Sequence, residues 1–161
     1  YHVASIVKDS RKAYHNDMKI NIKRIDSALP LPEYKTKGAA AFDVYARVDI
    51  IIKPQTLGYI PTNLVIKTPR GYVLLMASRS STPKRGLIIP HGIGIVDADY
   101  CGDEDELLCQ VYNITKKPVV ITRGERIGQA MFVKLGRVKQ WIEKKKMTKT
   151  SRGGFGSTGI S

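Results

Sequence analysis

Cysteine, phenylalanine and tryptophan are scarce in this 161-residue chain, and acids are outnumbered by bases: it holds two Cys, three Phe and one Trp, with 14 Asp+Glu against 27 Lys+Arg. Cys101 and Cys109 form no CxxC pair, and only His2, His15 and His91 could join them in a metal site. A disulfide framework and a structural zinc site are therefore not expected. No stretch approaches the ~18 apolar residues of a membrane-spanning helix, and no hydrophobic signal core opens the chain, so the expectation is a soluble, cytoplasmic protein with no membrane partner. The tyrosines are scattered (Tyr34, Tyr45, Tyr59, Tyr72, Tyr100, Tyr112) rather than interleaved with bases on one strand. A stacking platform for single-stranded nucleic acid would need that interleaving, and no stable nucleic-acid partner is expected.

What is present is positive charge. The formal net charge is +13, and the first seventeen residues carry little of it, so the excess is spread through the chain. Such a balance suits nucleic acid, an anionic membrane surface or a polyanionic small substrate, and does not by itself choose among them. The length fits one packed domain.

Residues 1–17 lack apolar periodicity and read as an N-terminal extension or an expression remnant. From Met18, "MKINIKRI" reads as a natural start followed by a strand with Ile20 and Ile22 on one face. Short β-rich runs follow: "VDIIIK" (48–53), "YIPTNLVIK" (59–67), "GYVLLMAS" (71–78), "ELLCQVYNIT" (106–115), "PVVIT" (118–122) and "GQAMFVKL" (128–135), separated by turn residues. No 3.6-residue period is sustained, so the predicted fold is all-β, a jelly-roll-like barrel or sandwich spanning 18–142. One helical turn is expected at "STPKRG", with Ser81 or Thr82 as cap and Pro83 at its first position. The lysine-rich segment 143–161 reads as a flexible C-terminal arm. The acidic run "CGDEDE" (101–106) reads as a solvated turn, because a carboxylate cage for a hard metal needs spaced ligands.

The chain closes on "RGGFGSTG", whose last six residues, Gly154 to Gly159, spell G-x-G-x-x-G. A dinucleotide fingerprint needs a strand before it and a helix with a downstream acid after it; only Ile160 and Ser161 follow, which excludes that reading. A flexible tail, or a phosphate-cradling loop that orders on a ligand bound elsewhere, remains. Two interior stretches could supply the ligand. In "ASRSSTPKRG", Arg79, Ser80 and Ser81 bring a guanidinium and two hydroxyls to a strand end, which makes either an anion site or a routine capped turn. In "HGIGIVDADYCG", Gly92 and Gly94 flank a short apolar strand where a ligand could approach the backbone. Asp97 beyond it could act as a general base, and Tyr100 could wall a planar or sugar-shaped pocket.

Taken in order, "GAAAFDVYA", "ASRSS", "GIGIVDADYCG", "RGERIGQAM" and "RGGFGSTG", from Gly38 to Gly159, resemble the five motifs of the trimeric dUTP pyrophosphatase (dUTPase) family. The resemblance implies Mg²⁺-dependent hydrolysis of dUTP to dUMP and pyrophosphate by a homotrimer whose subunits share active sites. Such an activity limits uracil in DNA and supplies dUMP for dTMP synthesis. It further implies that backbone groups of Gly94, Ile95 and Val96 pair with the uracil edge, that Asp97 deprotonates the attacking water, and that Tyr100 packs on the deoxyribose. Arg79, Ser80, Ser81 and Gln129 would bind substrate, and Asp43 would reach Mg²⁺ through water, the ion being held mainly by the phosphates. In the tail, Arg152 would meet the γ-phosphate, Phe155 would stack on uracil, and Gly156, Ser157 and Thr158 would wrap the phosphates. This chain departs from the family's usual pattern in having Ser81 where glycine is common, a longer acidic stretch after Tyr100, and only Gly153 and Gly154 between Arg152 and Phe155.

Two other functions compete. The sister family of dCTP deaminases, including bifunctional members, shares "RSS", but its glutamate base, counted back from a strand-ending asparagine here matched by Asn113, falls on Gln110, which cannot accept the proton. A basic β-barrel that binds nucleic acid lacks the aromatic platform described above.

Overall fold

The computed structural model describes residues 18–151 and Gly153. These form eleven strands, all paired antiparallel, and one three-residue 3-10 turn; no α-helix occurs among the described residues. The strands are β1 (Asn21–Arg24), β2 (Phe42–Tyr45), β3 (Ile50–Ile52), β4 (Leu57–Pro61), β5 (Leu64–Lys67), β6 (Tyr72–Ala77), β7 (Leu87–Ile88), β8 (Ile93–Val96), β9 (Leu108–Asn113), β10 (Val119–Ile121) and β11 (Arg126–Lys134). They assemble into a four-stranded sheet ordered β2-β11-β6-β8, a three-stranded sheet ordered β4-β9-β7, and the pairs β1-β5 and β3-β10. The all-β expectation therefore holds. Among the described residues no helix is long and apolar enough to cross a membrane.

Alternation along each strand builds the core. Successive side chains point to opposite faces, so Phe42 and Val44 of β2, Ile60 of β4, and Cys109 and Val111 of β9 turn inward to meet Leu74, Met76 and Ala130. Ile20 and Ile22 share one half-buried face against this core, as the sequence pattern predicts. The side chains left on the other faces, Asp43, Gln110 and Gln129 among them, are available for chemistry.

Three local expectations are corrected. The run 59–67 is two strands rather than one, because Asn63 adopts φ 72° and turns the chain between them. Asparagine tolerates this left-handed conformation. Its amide is also held from both sides: Asn63 Nδ2 donates to Asp26 O at 3.0 Å, and Asp26 N–H donates to Asn63 Oδ1 at 2.6 Å. The helical turn is the 3-10 segment Pro83–Arg85, preceded by Thr82, but neither expected cap works as one. Instead, Thr82 Oγ1 accepts from Arg79 N–H at 3.0 Å, reaching back toward the strand end. Finally, Gly94 lies inside β8 rather than at its edge.

The sheet β2-β11-β6-β8 carries the feature that matters most below. β11 pairs with β2 through a bulge, its register slipping between Arg126 and Gly128. A bulge re-aims the side chains on one side of it. Gly128 fits there because a Cβ would stand 3.2 Å from Val44 Cγ2 and 3.3 Å from Ala77 O.

Candidate active site

The polar face of the sheet centres on one cross-strand row. Gln129 of β11 lies opposite Asp43 of β2 on one side and Ala77 of β6 on the other, so the Asp43 carboxylate and the chain leaving β6 meet at the same level. Arg79 Nε donates to Asp43 Oδ1 at 2.8 Å, and an Arg126 Nη donates to Asp43 Oδ2 at 3.0 Å. Gln129 Nε2 donates to Ser78 O at 2.8 Å, and an Arg79 Nη makes a long hydrogen bond to Ser81 Oγ at 3.3 Å. The turn is closed by Thr82 N–H on Arg79 O at 3.0 Å. Asp43 is only 13% exposed at its side chain, which strengthens its charge-assisted bonds but makes both arginines necessary to offset desolvation. Arg79 keeps its remaining Nη without a partner among the described residues, and Ser80 and Ser81 stand exposed beside it. A guanidinium anchored through Nε with one Nη unengaged, next to two exposed hydroxyls, has the donors that a phosphoryl oxygen could accept from.

Sequence reasoning placed Asp43 near a metal; in the structure it is first the anchor of two arginines. A carboxylate offers about four lone-pair sites, so both oxygens retain room for a water of an ion's hydration shell. Among the described residues no group of three His, Cys, Asp or Glu side chains could hold a metal alone. An ion carried on a ligand's phosphates could meet Asp43 through such a water.

The second group of residues surrounds a cavity of about 380 Å³ lined by Gly94, Ile95, Val96, Asp97 and Tyr100. β8 is the edge strand of its sheet, so alternate N–H and C=O groups face away from β6, a row of donors and acceptors suited to a planar heterocycle's edge. Asp97 follows β8 directly; Tyr100 N–H donates to Asp97 O at 3.2 Å and closes the turn. The Asp97 carboxylate is exposed, and no hydrogen bond or ion pair engages it among the described residues. Tyr100 OH donates to Glu106 O at 3.1 Å, which holds the ring against the cavity. Buried in the cavity's floor, Cys109 has its thiol pushed up to about 11 by desolvation, so it stays protonated and is no nucleophile at neutral pH.

Four residues here were not assigned to a dUTPase-like site from the sequence: Arg126, His91, Tyr59 and Gln110, the last weighed only as the position of a deaminase base. His91, Tyr59 and Gln110 line the second cavity, with Gln110 Nε2 donating to Tyr59 OH at 3.1 Å. Arg126 sits in the quoted "RGERIGQAM", but strict alternation puts residues 126 and 129 on opposite faces; only the bulge brings both to Asp43. Arg152, Phe155, Gly156, Ser157 and Thr158, and the extension 1–17, lie outside the described residues.

Within one chain the two groups stay apart. Arg79 and Ser81 line a different cavity, of about 340 Å³, from the one at Asp97. The β6–β8 register explains why: Ala77 lies opposite Ile93 and Leu74 opposite Val96. Arg79 and Asp97 thus leave opposite ends of the ladder, and the four strand steps from Ile93 to Asp97 alone span ~13 Å.

The chain is similar in sequence and fold to known proteins. The dUTPase family model matches residues 27–159. The deoxyuridine 5'-triphosphate nucleotidohydrolase of Dictyoglomus turgidum is 37% identical over 150 residues, covering 89% of this chain and 99% of its own. That of Caldanaerobacter subterraneus is 38% identical over 153 residues, covering 88% and 97%. Among solved structures, the Streptococcus mutans dUTPase superposes with a TM-score of 0.68 at 27% identity over 74% of this chain and 98% of its own. The fold is shared with the dUTPase of Staphylococcus bacteriophage 80alpha solved with dUpNHpp, at a TM-score of 0.73 and 24% identity over 88% and 99% of the two chains. By its matched family model, its relatives and its fold, this chain belongs to the dUTPase family.

Proposed function

We propose that this protein hydrolyses dUTP to dUMP and pyrophosphate, with Asp97 as general base. The observation that carries the reading is the placement of Asp97: an exposed carboxylate without a partner among the described residues, at the end of an edge strand and on the rim of a nucleoside-sized cavity. Attack by a water oxygen on the α-phosphorus forms one P–O bond and breaks the bond to the oxygen bridging toward the β-phosphorus; the water proton passes to Asp97 and pyrophosphate leaves. The free edge of β8 at Gly94, Ile95 and Val96 would read the uracil. Tyr100 would pack on the sugar where a 2′-hydroxyl needs space. Arg79, Ser80, Ser81 and Gln129 would hold the phosphate oxygens, whose charge Arg79 neutralises as pyrophosphate departs. The net charge of +13 favours capture of a polyanionic substrate. Magnesium carried on the phosphates would supply further charge neutralisation. The tail residues Arg152, Phe155, Gly156, Ser157 and Thr158 would complete the enclosure of the nucleotide.

The separation of the two groups supports a homotrimer in which the cavity at Asp97 faces the Arg79 turn of another subunit. Gln110, bonded to Tyr59 and unable to take a proton, gives the deaminase reading no base. Such an activity would keep uracil out of DNA and provide dUMP for dTMP synthesis. The test is pyrophosphate release from dUTP, UTP, dTTP and dCTP with and without Mg²⁺. Selective, Mg²⁺-dependent turnover of dUTP is expected; equal turnover of all four, or ammonia release from dCTP, would refute the assignment.

A further inference from the structure

The acidic run 101–106 reads as a solvated turn, and most of it is one: Asp103, 92% exposed at its side chain, pairs with Lys23 at 3.1 Å, a contact worth little in water. Its last residue behaves differently. The Glu106 carboxylate is 11% exposed and accepts three hydrogen bonds, from Arg47 Nε and an Arg47 Nη at 2.8 Å each and from Asn63 N–H at 2.7 Å. The bidentate fork is the strongest geometry available to a carboxylate and a guanidinium, and it raises the Arg47 pKa, the Glu106 hydrogen bond being the main cause.

The same residue has a second attachment. Its main-chain oxygen receives the Tyr100 hydroxyl at 3.1 Å, and the following residue is stitched to the same turn, Leu107 N–H donating to Leu64 O at 2.8 Å and Thr62 N–H to Leu107 O at 3.0 Å. Glu106 thus joins the left-handed turn at Asn63 to the ring that walls the cavity, while residues 101–105 span the gap between Tyr100 and this anchor.

We propose that Glu106 is a positioning residue: by clamping Arg47 and Asn63 it fixes the oxygen on which Tyr100 rests, and so sets the discrimination between a deoxyribose and a ribose nucleotide. This rests on the reading of Tyr100 as the sugar-facing wall. A ring free to tilt leaves room for a 2′-hydroxyl, so the loss appears as a smaller difference between dUTP and UTP rather than as a loss of chemistry at Asp97.

The experiment measures kcat and KM for dUTP and UTP in the full chain with Glu106→Gln, Arg47→Lys, Tyr100→Phe and the double variant Tyr100→Phe/Glu106→Gln, with Tyr100→Ala as reference. Glu106→Gln is expected to lower the dUTP-over-UTP ratio of kcat/KM by about 3–10-fold, the worth of one hydrogen bond. The change should lie in KM, with kcat for dUTP nearly unchanged. Tyr100→Phe should give a similar loss, and the double variant no further loss, because both remove one interaction. Arg47→Lys keeps the charge but loses the fork, and should reproduce the effect even if Glu106→Gln fails to fold. An unchanged ratio in folded Glu106→Gln or Arg47→Lys, or additive losses in the double variant, overturns the proposal while Tyr100→Ala still lowers the ratio. An unchanged ratio in Tyr100→Ala removes the reading of Tyr100, and the proposal with it.

Discussion

On the face shared by β2, β11 and β6, the side chains hold one another: Asp43 lies between Arg79 and Arg126, and Gln129 is tied to Ser78 O. At the end of β8, by contrast, the Asp97 carboxylate has no partner among the described residues. The difference follows the task proposed for each. A phosphate cradle acts by fixed charge and works best when reorganisation is complete before the ligand arrives. A general base must have a lone pair free for a water, so a permanent partner would compete with the reaction.

Removing the open carboxylate should have the largest effect. Asp97→Asn keeps the shape but removes the base, and a fall in kcat of about 10²–10⁴-fold is expected, with nucleotide affinity and melting temperature near those of the parent; a mutant keeping a tenth of the activity would contradict the role. If the two regions meet only between subunits, inactive Asp97→Asn and Arg79→Ala chains refolded together should recover activity, since roughly a quarter of sites in random oligomers combine two intact halves. No recovery in a mixed oligomer verified by mass would mean that each chain builds its own site.

Breaking the preorganised side should cost stability as well as turnover. Asp43→Ala strands two arginines, and a loss of about 1–3 kcal/mol in urea denaturation is expected, whereas Asp97→Asn should lose almost none. That contrast is the comparison in its sharpest form, and equal losses would erase it. At neutral pH the smallest effect concerns the thiol beneath the cavity, whose consequence appears only in alkali. Burial pushes the Cys109 thiol up to about 11 when folded, against an ordinary thiol value of 9.0. Between these values the unfolded chain binds fewer protons than the folded one, so this group's contribution is intact below pH ~9 and declines as pH rises toward ~11, by about 2–3 kcal/mol in all. Cys109→Ala should flatten the alkaline limb of the stability curve by that amount, measured as the slope against pH.

Sequence reasoning reached some of this and missed the rest for identifiable reasons. Alternation in "FDVYA" and "LLCQVYN" is local, so the inward positions of Val44, Cys109 and Val111 are legible. Arg126 was hidden because a bulge changes the face of a strand without leaving a mark on either side's composition. Asn63 and Glu106 were hidden because each looks ordinary alone: an asparagine in a strand-like run and the last acid of a polar turn. The role of Thr82 was misread as a cap because its partner, the Arg79 amide, lies on the strand side of the turn.

By itself the sequence determined the all-β class, through period-two runs that no helix could use, and the order of five short motifs that place it among dUTPases. It also determined that a carboxylate follows the strand at Gly94–Val96. Only the tertiary structure decided that Asp43 binds Arg79 and Arg126, that Glu106 clamps Arg47 and Asn63, and that Arg79 and Asp97 leave opposite ends of one ladder. The physical reason is that these pairings depend on strand register, which is set by the packing of the whole core and joins residues that no local preference relates.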